Sequence, residues 1–146
     1  MSTQDESAPL RITHVITCFL RRDNGRILIV KRSQRVGSYH EHWAGISGFV
    51  EPHVTPDEQV YTEIREETGL QRAQVQMLRR GQVVEYIDQE LGRHWFIHPF
   101  LFAVLAPDAI HIDWEATEMR WIEPLELSHY ETVPKLQEAY DSAIHG

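Results

Sequence analysis

A chain of 146 residues, 42% hydrophobic and 25% charged, has the length and composition of one globular domain with a real core. Its formal net charge of −8 repels nucleic-acid backbones and excludes nonspecific DNA or RNA binding; a small phosphorylated substrate would need local cations or bound metal. The longest apolar run, around Phe100 to Ala106, is too short to cross a bilayer, and the lone Cys18 makes no internal disulfide and fits a reducing compartment such as the cytoplasm.

The chain opens MSTQDESAPL, without the basic start and apolar stretch of a secretory signal. Residues 1–10 are expected to be a flexible tail and residues 11–146 a single domain. Arg11 to Leu20 is rich in Ile, Val and Thr and predicts a strand, with Cys18 as a small buried side chain. Asp23-Asn24-Gly25 follows, a hairpin signal because Asn and Gly both tolerate positive φ, and Ile27 to Val30 forms the antiparallel partner. Lys31 to His42 is polar and reads as a loop; Trp43 to Val50 alternates small and apolar residues around Gly45 and Gly48. The clearest helix spans Pro56 to Thr68: Thr55 caps it, Pro56 suits its first position, Glu58 completes a capping box and Gly69 stops it. Val75 to Ile87 and Arg93 to Val104 predict a longer hairpin around Asp88 to Gly92, bent at Gly81 and Pro99. Met119 to Ile122 is a short strand. Val133 to Ile144 predicts a terminal helix capped by Thr132, with Leu136, Ala139, Tyr140 and Ala143 as its apolar face. The sum is a mixed sheet with two main helices in one α/β (α+β) domain.

The helix Pro56 to Thr68 carries the chemistry. Glu63, Glu66 and Glu67 recur at i, i+3 and i+4 and project from one side. A solvated acidic face is the plain alternative, and exposed like charges cost too little to reject it, about 0.2–0.5 kcal/mol per pair. Helical phase says more. Val60 and Ile64 define an apolar stripe, Glu67 falls about 20° from Val60 on the wheel, and Glu63 lies just beyond. Two such carboxylates about 5 Å apart repel by roughly 3 kcal/mol at an effective dielectric of 20. A bound cation compensates for acids at the edge of a core, and an all-oxygen cluster selects Mg²⁺ or Mn²⁺ over zinc.

Gly48 to Leu70 reads GFVEPHVTPDEQVYTEIREETGL. It resembles the Nudix box, whose pattern is G, five residues, E, seven residues, then R-E-U-x-E-E-x-G-U with U bulky and apolar. Gly48, Glu63, Ile64, Glu66, Glu67, Gly69 and Leu70 match at the right spacing. Val54 stands where the pattern has its first Glu, and Thr62 where it has Arg. In typical members those two side chains support the box and orient the Glu after the Arg; here both are absent, so neither is left as an unpaired charge. The resemblance implies an α/β/α sandwich with a mixed central sheet over Arg11 to the C-terminus. It implies a hydrolase that cleaves the pyrophosphate bond of a nucleoside diphosphate linked to another group. It further implies a Mg²⁺ or Mn²⁺ cofactor, a small nucleotide substrate, and the homodimer common in the family.

By that resemblance Glu63, Glu66 and Glu67 are metal ligands, one of them a candidate base. Glu115, in the later stretch EATEMRW, is the candidate for a further carboxylate that members recruit from a loop; a solvated loop acid is its plain alternative. Lys31, Arg32 and Arg35 can grip phosphates or form an exposed basic loop. Trp43 and Tyr86, with Tyr39 and Trp95, can stack on a base or simply pack. His40-Glu41-His42 is the densest histidine group, but it has no second ligand pair and no Cys partner, which argues against zinc. Asp88, Glu90 and Asp113 read as solvated turn acids, and His53 as a loop residue. Two competing readings are a nucleotide-binding or regulatory module of the same fold that has lost catalysis, and an isomerase of a prenyl diphosphate, for which Cys18 is the only thiol on offer.

Overall fold

A computed structural model describes residues 9–146; the expected tail falls mostly on residues 1–8, outside the described residues. Strand β1 (Arg11–Arg21) is followed by β2 (Ile27–Arg32). The loop between them differs in detail from a two-residue Asn-Gly turn. Gly25 alone takes a positive φ, +85°, while Asn24 does not. Arg22 N donates to Arg26 O and Gly25 N to Arg22 O, each at 3.0 Å, the pattern of a three-residue loop closed by a left-handed glycine. Strand β2 also runs on through Lys31 and Arg32, expected as loop, and ends in a bulge against β8 (Ala116–Ile122).

Two short strands, β3 (Trp43–Ala44) and β4 (Ile46–Phe49), lead to helix α1 (Pro56–Thr68). The helix forms where the local signals place it. Thr55 Oγ1 accepts from Glu58 N, Thr55 N donates to Glu58 Oε1, both at 3.2 Å, and Gly69 closes the helix at φ +79°. The second hairpin is split: β5 (Val75–Arg80) and β6 (Val84–Asp88) both pair antiparallel with β7 (Arg93–Val104), and the break falls at Gly81, whose N–H donates to Pro99 O at 2.9 Å.

The last helix, α2 (Leu136–His145), starts three residues later than expected, and Thr132 is not its cap. Thr132 bridges to Trp43, and Val133 N donates to Trp43 O at 2.9 Å. Pro134 disfavours helix at Val133, and Lys135 sits left-handed at φ +68°. The expected face of Leu136, Ala139, Tyr140 and Ala143 is buried.

The eight strands form one sheet in the order β3-β2-β1-β7-β5, with β4 also on β1, β6 on β7 and β8 on β2. The pair β1–β7 is parallel and the others are antiparallel, so the sheet is mixed. Alternation along β1 and β7 sends Ile16, Cys18, Phe100 and Phe102 to a core with Val60 and Ile64 of α1. The other parity sends Phe19, Ile97 and Leu101 to a core with Leu136 and Ala139 of α2. The sheet is therefore covered by a helix on each face, which explains why its central strands are apolar on both sides. No helix among the described residues is long and apolar enough to cross a membrane.

Candidate active site

The acids of α1 lie at the edge of its buried stripe. Val60 and Ile64 are inaccessible, and Glu63 and Glu67 keep only 8% and 7% exposure. Glu66 lies on the exposed flank. Burying a carboxylate is costly unless something pairs with it, and the two are treated differently. Glu63 Oε2 accepts a hydrogen bond from Gln59 Nε2 at 2.9 Å; Glu67 Oε2 is buried with no partner. Gly48 of β4 is pressed against the Glu63 carboxylate, where a Cβ would have no room.

Glu115 joins this group from the far side. Ser33 N, just past β2, donates to Glu115 O at 2.8 Å, and Glu115 N donates to Asp113 Oδ1 at 3.0 Å. Burial raises the Glu67 carboxyl well above its ordinary range, helped by hydrogen bonding to Glu63 and by the charges of Glu115, Glu63 and Asp113. Burial likewise raises Glu63. Glu115 is pushed up to about 7, first by burial and then by Asp113 and Glu63. Asp113, expected as a solvated turn acid, thus belongs to the electrostatics of the cluster. Arg32 is the nearby cation. Burial lowers its pKa while Glu67 and Glu115 hold it up, and its Nε donates to Ser38 O at 3.0 Å.

The residues suit a hard divalent ion. The donors are all oxygens, and the buried Glu67 Oε2 has no partner within the protein. Among the described residues no three His, Cys, Asp or Glu side chains converge into a ready-made cage, so ligands would have to draw together around an ion. Within the His40-Glu41-His42 group, His40 bonds Val36 O and His42 bonds His40 O, at 2.7 and 3.0 Å. Cys18 is fully buried, and burial together with the Glu67 charge pushes its thiol well up. It is not a reactive thiol.

A cavity of about 270 Å³ opens beside the cluster, bordered by Arg32, Gly48 and Glu115 and walled by aromatic side chains. Of the residues expected to bind substrate, Arg32, Arg35 and Tyr86 line it, as do Tyr39 and Trp95. Arg35 lies over the Trp114 ring at 5.2 Å. Two of the expected residues lie away from this cavity. Trp43 is 7% exposed and lies in the core against Tyr130, with ring centroids 5.3 Å apart, because the β2–β3 pairing and the Thr132 bridge hold it there. Lys31, opposite Trp43 in that pairing, does not reach the cavity wall. Sequence reasoning missed Phe49 and Trp114, which line the cavity while remaining 55% and 52% exposed. Phe49 ends β4 and Trp114 lies in a turn, and an exposed aromatic at either place carries no local signal of this kind. It also missed Gln59, whose i, i+4 spacing to Glu63 was readable.

Comparison with known proteins gives a consistent picture. The family model of the NUDIX domain matches residues 11–143. A nucleoside triphosphatase, NudI of Escherichia coli, is 27% identical over 121 residues, covering 80% of this chain and 86% of that one. Among solved structures, a MutT protein from Methanosarcina mazei aligns at TM-score 0.77 and 20% identity, over 92% of this chain and 94% of that one. The Escherichia coli dihydroneopterin triphosphate pyrophosphohydrolase aligns at 0.75 and 16%, over 91% and 96%.

Proposed function

The chain belongs to the NUDIX domain family, and on that premise we propose that it is a divalent-metal-dependent hydrolase. Its substrate is a small nucleotide, cleaved at the phosphoanhydride bond of a nucleoside diphosphate linked to another group. The observation that carries this reading is the buried, unpartnered Oε2 of Glu67, set beside Glu63 and next to a cavity with Arg32 at its border. Glu63, Glu66 and Glu67 would hold the ion, Mg²⁺ or Mn²⁺. When bound, such an ion neutralises phosphate charge and lowers the pKa of coordinated water.

The chain's own residues account for the rest. Arg32 and Arg35 border the cavity and supply the local cations that an anionic substrate needs on a protein of net charge −8. The aromatic wall of Phe49, Tyr86 and Trp95 presents faces for a base. Glu115, pushed up to about 7, can hold or release a proton at neutral pH, as a general base must. The named relatives act on different compounds, nucleoside triphosphates for NudI and dihydroneopterin triphosphate for the pyrophosphohydrolase. Those compounds share phosphoanhydride bonds, which is the substrate class assigned here. The test is release of nucleoside monophosphate from a nucleotide panel, dependent on added Mg²⁺ or Mn²⁺ and abolished by a chelator.

A further inference from the structure

Val54 and Thr62 leave this chain without the Glu and Arg that support the resembled box. Something else must tie the loop before α1 to the helix and aim Glu63. That loop makes a turn from Glu51 to Val54, closed by Val54 N donating to Glu51 O at 3.2 Å, with His53 left-handed at φ +67°. Gln59 faces it from the first turns of α1 and is 1% exposed. Its amide is used at both ends: Oε1 accepts from Glu51 N at 3.0 Å, and Nε2 donates to Glu63 Oε2 at 2.9 Å.

We propose that Gln59 is the positioning residue of this site, joining the turn at Glu51 to the carboxylate of Glu63 in place of the missing Glu–Arg pair. A buried neutral amide with its donor and acceptor both engaged avoids the desolvation cost of a buried ion pair. The cation–anion support is thereby replaced by one side chain whose geometry is fixed at both ends. The direction of the donated bond matters. It holds one oxygen of Glu63 and leaves the carboxylate's charge uncancelled, so Glu63 stays available to a cation. The role of Glu63 as ligand rests on the reading given under Proposed function; the contact between Gln59 and Glu63 does not.

Two measurements on the chain separate them. In metal-free protein, the side-chain amide protons of Gln59 are followed by ¹H–¹⁵N NMR in the native sequence and in Glu63→Ala. They are expected to shift when Glu63 is truncated, and amide protons that stay in place overturn the positioning role whatever the protein does with metal. Mn²⁺ alone is then titrated, with free ion read by electron paramagnetic resonance. Gln59→Met is expected to weaken binding by roughly 10- to 100-fold, the usual effect of losing a group that orients a ligand. Val54→Glu with Thr62→Arg added to Gln59→Met should restore it, which a mere packing role would not permit. Binding as tight as the native chain's in Gln59→Met overturns the proposal, and so does a triple variant that remains as weak as Gln59→Met. A native chain that binds no Mn²⁺ sinks the metal reading instead, and the NMR arm still judges Gln59.

Discussion

The backbone of Gly48 lies in contact with the carboxylate of Glu63, so closely that a methyl group on Gly48 would overlap the carboxyl carbon and both oxygens. The obstacle is the far end of a flexible side chain, which can swing aside. Gly48→Ala should therefore cost little stability, about 0.5–1.5 kcal/mol for an off-rotamer Glu63. It should also lower Mn²⁺ affinity and turnover by roughly 10- to 100-fold. Thermal melts alongside metal titration check both halves.

Gly81 makes the opposite prediction from a similar overlap. A Cβ there would meet the backbone of Ser142 in α2, 2.5 Å from its oxygen and 2.6 Å from its carbonyl carbon. Backbone cannot swing aside, so α2 must shift. Gly81→Ala should cost about 1–3 kcal/mol, the range for overpacking. Denaturant midpoints measure it.

Glu115 makes stability depend on pH in a stated direction. Its carboxyl is pushed up to about 7 from an ordinary 4.5. Between those values the native chain keeps a proton that the unfolded chain has released, so this group's contribution falls as pH rises through the window. In chelator, Glu115→Gln should flatten the decline in melting temperature between about pH 5 and about pH 8. Added Mn²⁺ should raise the native chain's melting temperature more at the upper end, where ligands are already deprotonated. Equal slopes in the two proteins would contradict this account of Glu115.

Phe49 and Trp43 separate the cavity wall from the core. Phe49 is stacked on Trp95 with centroids 6.3 Å apart and a 20° interplanar angle, and it remains exposed on the cavity side. Phe49→Ala should raise the Michaelis constant by about 5- to 150-fold, the ~1–3 kcal/mol of an aromatic–base stack. Trp43→Phe should lower the melting temperature and leave the Michaelis constant alone, since that ring packs against Tyr130 under Arg120.

These contrasts also mark how much of the site is legible in the sequence. Helix α1 was legible because its signals are local to each end: Thr55, Pro56 and Glu58 act within the first turn, and Gly69 closes the last. The start of α2 was not, because Thr132 is claimed by a distant partner, Trp43, and a local capping signal yields to a tertiary bridge. The burial of Glu63 and Glu67 followed from helical phase alone. The remainder of the site is assembled from separate segments: Glu115 reaches it through a bond from Ser33, and the cavity wall joins β4, β6, β7 and the start of α2. Only the register of the sheet brings those segments together.

The central claim is that the α1 carboxylates hold a metal that drives phosphoanhydride hydrolysis. It is tested most directly by a nucleotide panel run with Mg²⁺ and then Mn²⁺ on the native chain and on Glu67→Gln, with nucleoside monophosphate as the readout. Glu67 Oε2 has no partner in the protein, and the amide removes a ligand charge while keeping a donor for the hydrogen bond to Glu63, so the variant should melt no lower than the native chain in chelator. The account predicts metal-dependent release of monophosphate that collapses in Glu67→Gln. Undiminished turnover in the variant would place the chemistry elsewhere, and nucleotide binding without turnover in the native chain would make this a binding module of the same fold.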